Sequence, residues 1–281
     1  RDRDVTGVQT CALPIWEDEL KLKFCSLYSG SSGNCQYIKT KNATILVDAG
    51  LSGKKIQQEI ANIGEDPNKI DAIFITHEHV DHIKGAGIMS RRLDVPIFAN
   101  KKTWEAMAPF IGNIKSHNIK ILDEYAEIGD LTISPFDICH DASDPVGYNI
   151  FYENKKVSLV TDTGCINEGI KKSIINSDLL LVESNHDEDM VLIGPYPWPL
   201  KKRVLGKFGH MSNDTAGDLI SKVVKKGTEI VLLAHLSKEN NFPQLAYKTV
   251  ENILGENSID VNPGICLDMT YRDKASKVYE I

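Results

Sequence analysis

The sequence predicts a four-layer αββα sandwich, two facing mixed sheets with helices outside. Two successive halves each pass from short strands into βα units, and no Pro/Gly/Ser linker divides them. The stretch from Leu131 to Thr161 carries more hairpin signals than a single doubly wound parallel sheet would accommodate. With 281 residues, 42% hydrophobic and 25% charged, the chain is long and apolar enough to bury a sizeable core.

Taken in order, Leu20–Tyr28, Cys35–Thr40 and Ala43–Asp48 are short apolar or alternating runs between Gly/Ser and Asn turns, hence strands. Lys54–Ile63 has helical apolar spacing, Ile70–Thr76 is a continuous apolar run suited to a buried strand, and Asp81–Leu93 is helical again. Pro96–Ala99 (strand) and Lys102–Ile111 (helix) repeat the theme. Strands follow at Ile119–Leu122, Leu131–Cys139, Tyr148–Tyr152 and Val157–Thr161, with turns at Gly129-Asp130 and Asn154-Lys155. Helix Asn167–Ile175, strand Asp178–Val182, helix Ser212–Lys226, strand Glu229–Ala234 and helix Leu245–Leu254 complete the second half. One domain is expected over residues 17–281. Ahead of it, Val5–Ile15 resembles an in-frame translation of a DNA-sequencing ligation adaptor, so residues 1–16 are set aside from the fold.

The 32 Lys+Arg against 39 Asp+Glu give a formal charge of −7, which argues against coating nucleic acid by bulk electrostatics but leaves room for a local basic patch. No run reaches the roughly 18 apolar residues of a membrane span, and no cleavable leader pattern appears, so a soluble cytoplasmic protein is expected. The six cysteines include no CxxC pair, and reduced thiols, mostly in the core, are the expectation.

The chemistry concentrates in Thr76-His77-Glu78-His79-Val80-Asp81-His82, where a buried strand runs into three imidazoles and two carboxylates. Such a donor set suits one or two borderline divalent ions. His77 and His79, two apart in extended chain, project to one side and can share an ion; Asp81 and His82 turn into the next helix and can face a second. His140, Asp162 and His235 each stand where a predicted strand stops, on what would be the same rim. For Asp162 alone, a turn or capping role is equally open.

HEHVDH followed by His140, Asp162 and His235 resembles the metallo-β-lactamase superfamily in its dinuclear hydrolase form, over essentially Leu20 to the C-terminus. The resemblance implies one ion on His77, His79 and His140, another on Asp81, His82 and His235, and Asp162 between them. Asp48, in Leu46-Val47-Asp48-Ala49-Gly50, matches the family's aspartate that orients a ligand histidine. The strings SGSSGNC (29–35), HDASDPVGY (140–148), ESNHD (183–187), GPYPWPLK (194–201), GHMSN (209–213) and HLSKENN (235–241) resemble the bacterial YycJ/WalJ branch, with departures at Met211 and Ala234 that remove no ligand. That likeness implies a metal-dependent DNA exonuclease acting 5′ to 3′.

Two divalent ions, with zinc favoured and manganese or iron as alternatives, would share a hydroxide and stabilise both oxygens of an in-line phosphoryl displacement. Asp81 is then catalytic through its ion, and His210 is the candidate general acid; the competing reading makes His210 incidental to a cap built on Ser212. Trp198, Lys201, Lys202 and Arg203 interleave aromatic and basic character as a strand-tracking surface does, though an exposed basic helix would look the same. Ser237, Lys238 and Asn240, together with amides of the Gly30–Gly33 turn, can donate to phosphate, and Asn185 and His186 stand near enough in sequence to a strand end to approach substrate. His117 is assigned no function.

A small-molecule phosphodiesterase or lactonase could use the same ligands. A metal-dependent scaffold that binds nucleic acid without cutting it is disfavoured by the intact ligand set. The 73 residues between Asp162 and His235 leave no room for the large insertion of the β-CASP RNA-processing nucleases.

Overall fold

The computed structural model describes residues 21–224 and 228–281. The adaptor-like segment and the last residues of the predicted helix Ser212–Lys226 lie outside the described residues.

The strands in chain order are β1 Lys23–Tyr28, β2 Cys35–Lys39, β3 Thr44–Val47, β4 Ala72–Phe74, β5 Ile97–Ala99, β6 Ile119–Ile121, β7 Ala126–Ile128, β8 Leu131–Asp137, β9 Val146–Tyr152, β10 Lys155–Val160, β11 Leu179–Glu183, β12 Ile230–Ala234, β13 Cys266–Met269 and β14 Tyr279–Glu280. They form two seven-stranded sheets, ordered β14-β1-β2-β3-β4-β5-β6 and β13-β12-β11-β10-β9-β8-β7. Each begins as an antiparallel meander and continues as parallel strands, with the change at β3/β4 in the first and β10/β11 in the second. The short β7, β13 and β14 have no counterpart among the predicted strands.

Alternation within the strands explains the layers. Ile45 and Val47, Ala72 and Phe74, Leu179 and Leu181, and Leu232 and Ala234 face the core between the sheets. Their neighbours Leu46 and Ile73 meet helices outside the first sheet, and Leu180, Val182, Val231 and Leu233 meet helices outside the second. Both faces are apolar, so these strands read as unbroken hydrophobic runs.

The outer helices are α1 Gly53–Asn62, α2 Val80–Ile83, α3 Ala86–Leu93 and α4 Lys101–Ile111, then α5 Glu168–Ile174, α6 Glu188–Ile193, α7 Trp198–Val204, α8 Asn213–Val223 and α9 Pro243–Glu256. Side-chain caps at Ser52, Asn100, Asn167, Asp187 and Ser212 start five of them. The single helix expected over Asp81–Leu93 is two, because the Gly85 N–H leaves the helical ladder for the Ala49 carbonyl, 2.7 Å away.

Reduced thiols were expected throughout, and this needs correction at one place: Cys139 and Cys165 are disulfide-bonded, with Cα atoms 5.7 Å apart. They follow β8 and β10, whose ends come together through β9, a contact that spacing along the chain does not reveal. Cys25 and Cys35 are free and buried, and Cys266 is free and half-buried.

Candidate metal centre

The site occupies the rim where strands of both sheets end. Asp48 directly follows β3, Asp162 lies just past β10, and His235 directly follows β12; all three adopt left-handed backbone, with φ of 61°, 57° and 56°. Non-glycine residues seldom adopt that conformation, and its clustering here is strain held by the surrounding fold at a working site. The HEHVDH loop leaves β4 and enters α2 on the same rim.

Ligand-capable atoms gather in four overlapping sets; two of them hold Asp162, with Glu183, His210 and His235 or with His77 and His82, and the other two do not. Those of His77, His79 and His140 lie within 4.8 Å of one another, as do those of Asp81, His82 and His235. Asp162 stands between, 3.2 Å from the His235 ring, 3.5 Å from His82 and 4.0 Å from His140. His77 Nε2 and His79 Nδ1 face each other at 3.1 Å, a spacing that suits two donors turned to one ion.

Supporting groups fix which ring nitrogen each imidazole presents. Asp48 Oδ2 holds His82 Nδ1 at 2.7 Å, Glu183 Oε1 holds His235 Nδ1 at 2.9 Å, Thr76 Oγ1 holds His77 Nδ1 at 2.9 Å, and the Gly209 carbonyl holds His140 Nδ1 at 3.2 Å. Each arrangement turns Nε2 into the site. The turn bearing Gly209 admits only glycine, since a Cβ there would stand 2.1 Å from the Arg203 carbonyl oxygen.

Two observations show that these residues fit cations. His235 Nε2 and Asp162 Oδ2 are buried without a hydrogen-bonding partner, which a fold tolerates where an ion satisfies them. The donor set of five imidazoles and two carboxylates is also the chemistry that borderline divalent ions take.

The protein's own charges treat the two groups differently. Burial, helped by the neighbouring imidazoles, holds His77 well below its ordinary range, and burial lowers His140 too. Burial also opposes charge on His82 and His235, yet the carboxylates of Asp48 and Asp162 push His82 up to about 10, and those of Asp162 and Glu183 push His235 up to about 9. Against its own burial, Glu183 is lowered to about 2 by His210 and His235.

Glu183 is the residue that sequence reasoning missed. Fully buried at the end of β11, it accepts from His210 Nδ1 at 2.8 Å, from His235 Nδ1 and from the amides of Thr163 and Met211. Its signals were a carboxylate closing an apolar strand and its place at the head of the string ESNHD, to which no role was attached. Asn34 was missed as well; its Nδ2 lies 3.0 Å from His82 Nε2 and 3.4 Å from Asp81 Oδ2. His210 stands beside the centre, its ring centroid 5.2 Å from that of His140, and Ser212 caps α8.

The expected substrate contacts divide. Trp198 is 58% exposed on α7 with the Lys202 ammonium 5.9 Å over its ring, and Arg203 donates to Asp141 at 2.5 Å, next to His140. Ser237 and Lys238 line a cleft next to His235. Lys201 is drawn inward, donating to the Leu192 carbonyl at 2.6 Å, and Asn185 is spent on the His235 carbonyl at 2.7 Å. His186 and Asn240 are buried, with His186 Nδ1 and both amide atoms of Asn240 unpartnered.

The family model described as the metallo-beta-lactamase superfamily matches residues 28–235. The chain is 38% identical over 267 residues to an exodeoxyribonuclease WalJ of Streptococcus pneumoniae serotype 2, covering 94% of this chain and 99% of that one. It is 39% identical over 242 residues to an exodeoxyribonuclease YycJ of Bacillus anthracis, covering 85% and 92%. In fold it resembles the crystal structure of the metallo-beta-lactamase fold protein YhfI from Bacillus subtilis, with a TM-score of 0.70 at 18% identity, over 93% of this chain and all of that one. With the ligand residues gathered on one rim of an αββα sandwich, and with these matches spanning most of its length, the chain belongs to the metallo-beta-lactamase superfamily.

Proposed function

We propose that the protein is a metal-dependent exonuclease that hydrolyses DNA from the 5′ end, with residues 17–281 acting as one catalytic unit. The observation that carries the reading is the convergence of seven side chains from both sheets on two adjoining ligand groups, in a chain aligned along nearly its whole length with two exodeoxyribonucleases. Two divalent ions held there would supply an activated water and positive charge for the phosphoryl oxygens. Zinc suits the all-imidazole group, with manganese or iron as alternatives beside Asp81.

The remaining work falls to the protein. The Glu183 carboxylate raises His210 against its burial, which favours its protonated form; with Nδ1 engaged by Glu183, its other nitrogen can deliver a proton to the departing oxygen. Asp48 and Glu183 keep the His82 and His235 rings oriented. Trp198, Lys202 and Arg203 offer stacking and charge to the incoming strand. Among the described residues no helix is long and apolar enough to cross a membrane, and a DNA substrate puts the working compartment in the cytoplasm.

Metal-loaded protein is incubated with 5′-labelled and 3′-labelled duplex DNA beside cyclic nucleotide and lactone substrates, with metal analysis of protein purified without added metal. Mononucleotide release from the 5′ end is expected. Cleavage of small esters alone selects the phosphodiesterase or lactonase reading, and tight DNA binding without turnover selects the scaffold. Asp81→Ala is expected to abolish activity in a folded protein; full turnover in that variant excludes a two-ion mechanism.

A further inference from the structure

Three segments far apart in sequence meet beside the Asp81/His82/His235 group: the Ser31–Gly33 turn, the chain following His235, and the loop after β13. Together they line a cleft of about 440 Å³, within the roughly 300–1,000 Å³ usual for small-molecule sites. Its polar lining includes Ser32, Ser237, Lys238 and Arg272, and its apolar lining includes Phe242, a 47% exposed aromatic ring. Neither Lys238 nor Arg272 forms an ion pair among the described residues, and Asp273 is the one acidic residue in the lining, so two cations face one anion.

The cleft is fastened to the ligand group. Ser29 donates its N–H to the Tyr271 carbonyl at 2.9 Å while its hydroxyl accepts the His235 N–H at 3.0 Å. Asn34, from the same turn, reaches His82. The stem of Arg272 lies on the bare face of Gly30, where a Cβ would come within 2.7 Å of its Cγ. On α7, whose Arg203 pairs with Asp141 next to His140, Trp198 and Lys202 are exposed.

We infer that this cleft is a subsite for a single nucleoside monophosphate, the terminal nucleotide of the strand, with Lys238 and Arg272 pairing with its 5′-phosphate and Phe242 stacking on its base. The assignment rests on the nuclease reading above and deepens it: with the reacting phosphate at the centre, the cleft next to His235 takes the one nucleotide that projects beyond it. Cations paired with a terminal phosphate favour 5′-phosphorylated over 5′-hydroxyl ends.

Two measurements test this. In the first, wild-type protein and a Lys238→Ala/Arg272→Ala variant digest strands with a 5′-phosphate or a 5′-hydroxyl. The wild type is expected to favour the phosphate by about tenfold or more, the double variant to bring that ratio near one, and Arg272→Lys to restore part of it. No wild-type preference, or an unchanged ratio in the variant, overturns the subsite while leaving 5′-end digestion, and hence the nuclease reading, intact. In the second, binding of thymidine 5′-monophosphate, thymidine and inorganic phosphate is measured on the chelated protein, a readout that survives even if no DNA is cut. The monophosphate is expected to bind best, losing about tenfold in Arg272→Ala and severalfold in Phe242→Ala. Equal binding of inorganic phosphate, or affinity indifferent to both substitutions, overturns the assignment.

Discussion

The two halves of the molecule place corresponding residues on the rim and use them differently. In each, an aspartate in left-handed backbone follows the last antiparallel strand, Asp48 after β3 and Asp162 after β10, and the next parallel strand runs into a polar segment, HEHVDH after β4 and Ser184-Asn185-His186-Asp187 after Glu183 at the end of β11. In the first half the loop supplies four ligand candidates and Asp48 supports one of them, His82. In the second half the aspartate itself stands between the ligand groups, and Glu183 takes the supporting role, for His235 and His210 together. A shared strand topology therefore fixes where a carboxylate stands, while the side chains around it decide whether it binds or orients.

The largest effect that would break this comparison is at Asp162. Asp162→Ala should lower turnover by more than the roughly 10–100-fold typical of supporting residues and reduce bound metal from two ions per chain toward one. End-labelled digestion and metal analysis check both, and a variant retaining two ions and full turnover would show that Asp162 bridges nothing. Next come the two supports. Asp48→Asn and Glu183→Gln should each cost about 10–100-fold in activity or metal affinity, with Glu183→Gln the larger because it disturbs two imidazoles and two buried amides. The reverse order would mean that Glu183 is a structural carboxylate.

The halves also differ in how readily they are read from sequence. The first-half ligand candidates are contiguous, so three imidazoles after an apolar strand suggest a metal loop before any fold is known. The second-half candidates are legible only as strand ends; His140, Asp162 and His235 needed the order of elements, or a family likeness, to be singled out. Glu183 stayed hidden because LLLVE has the composition of a buried strand, and its partners are 27 and 52 residues away. The cleft drew on the turn at 30–33 and the chain after His235, both noted in the sequence, but Arg272 and Phe242 carry no pattern that would bring them there. Layer order was legible because both faces of the central strands are apolar; β13 and β14 were not, being short strands of ordinary composition.

A smaller effect sharpens the electrostatic side of the comparison. His82 and His235 are raised from 6.5 to about 10 and about 9 by buried carboxylates, whereas His77 and His140 are lowered. For a raised imidazole, the stabilising contribution is fully present below its unfolded value and is lost as pH rises through the folded one. Chelated protein should therefore lose thermal stability between about pH 6.5 and 10, and Asp48→Asn should remove the His82 share of that slope. Thermal melts across this range check it; a flat profile would mean that the carboxylates do not hold protons on these rings. Metal-loaded protein should show a shallower slope, since ions displace those protons.

The smallest expected effect lies where the halves touch. Glu78, the one ionisable residue of HEHVDH without a place in either ligand group, accepts from the Ser143 amide at 2.8 Å and from its hydroxyl at 2.7 Å, tying the first-half loop to the segment after His140. The bonds are solvent-exposed, so Glu78→Ala should cost about 1 kcal/mol of stability at most. Its sharper consequence is geometric: with the tether gone, His140 is free to drift from His77 and His79, so affinity should fall severalfold for the ion in that group and stay unchanged for the ion on Asp81, His82 and His235. Stepwise metal titration separates the two. Equal weakening at both groups would mean that Glu78 acts on the rim as a whole, and no weakening would mean that the disulfide and the Gly209 contact already hold His140 in place.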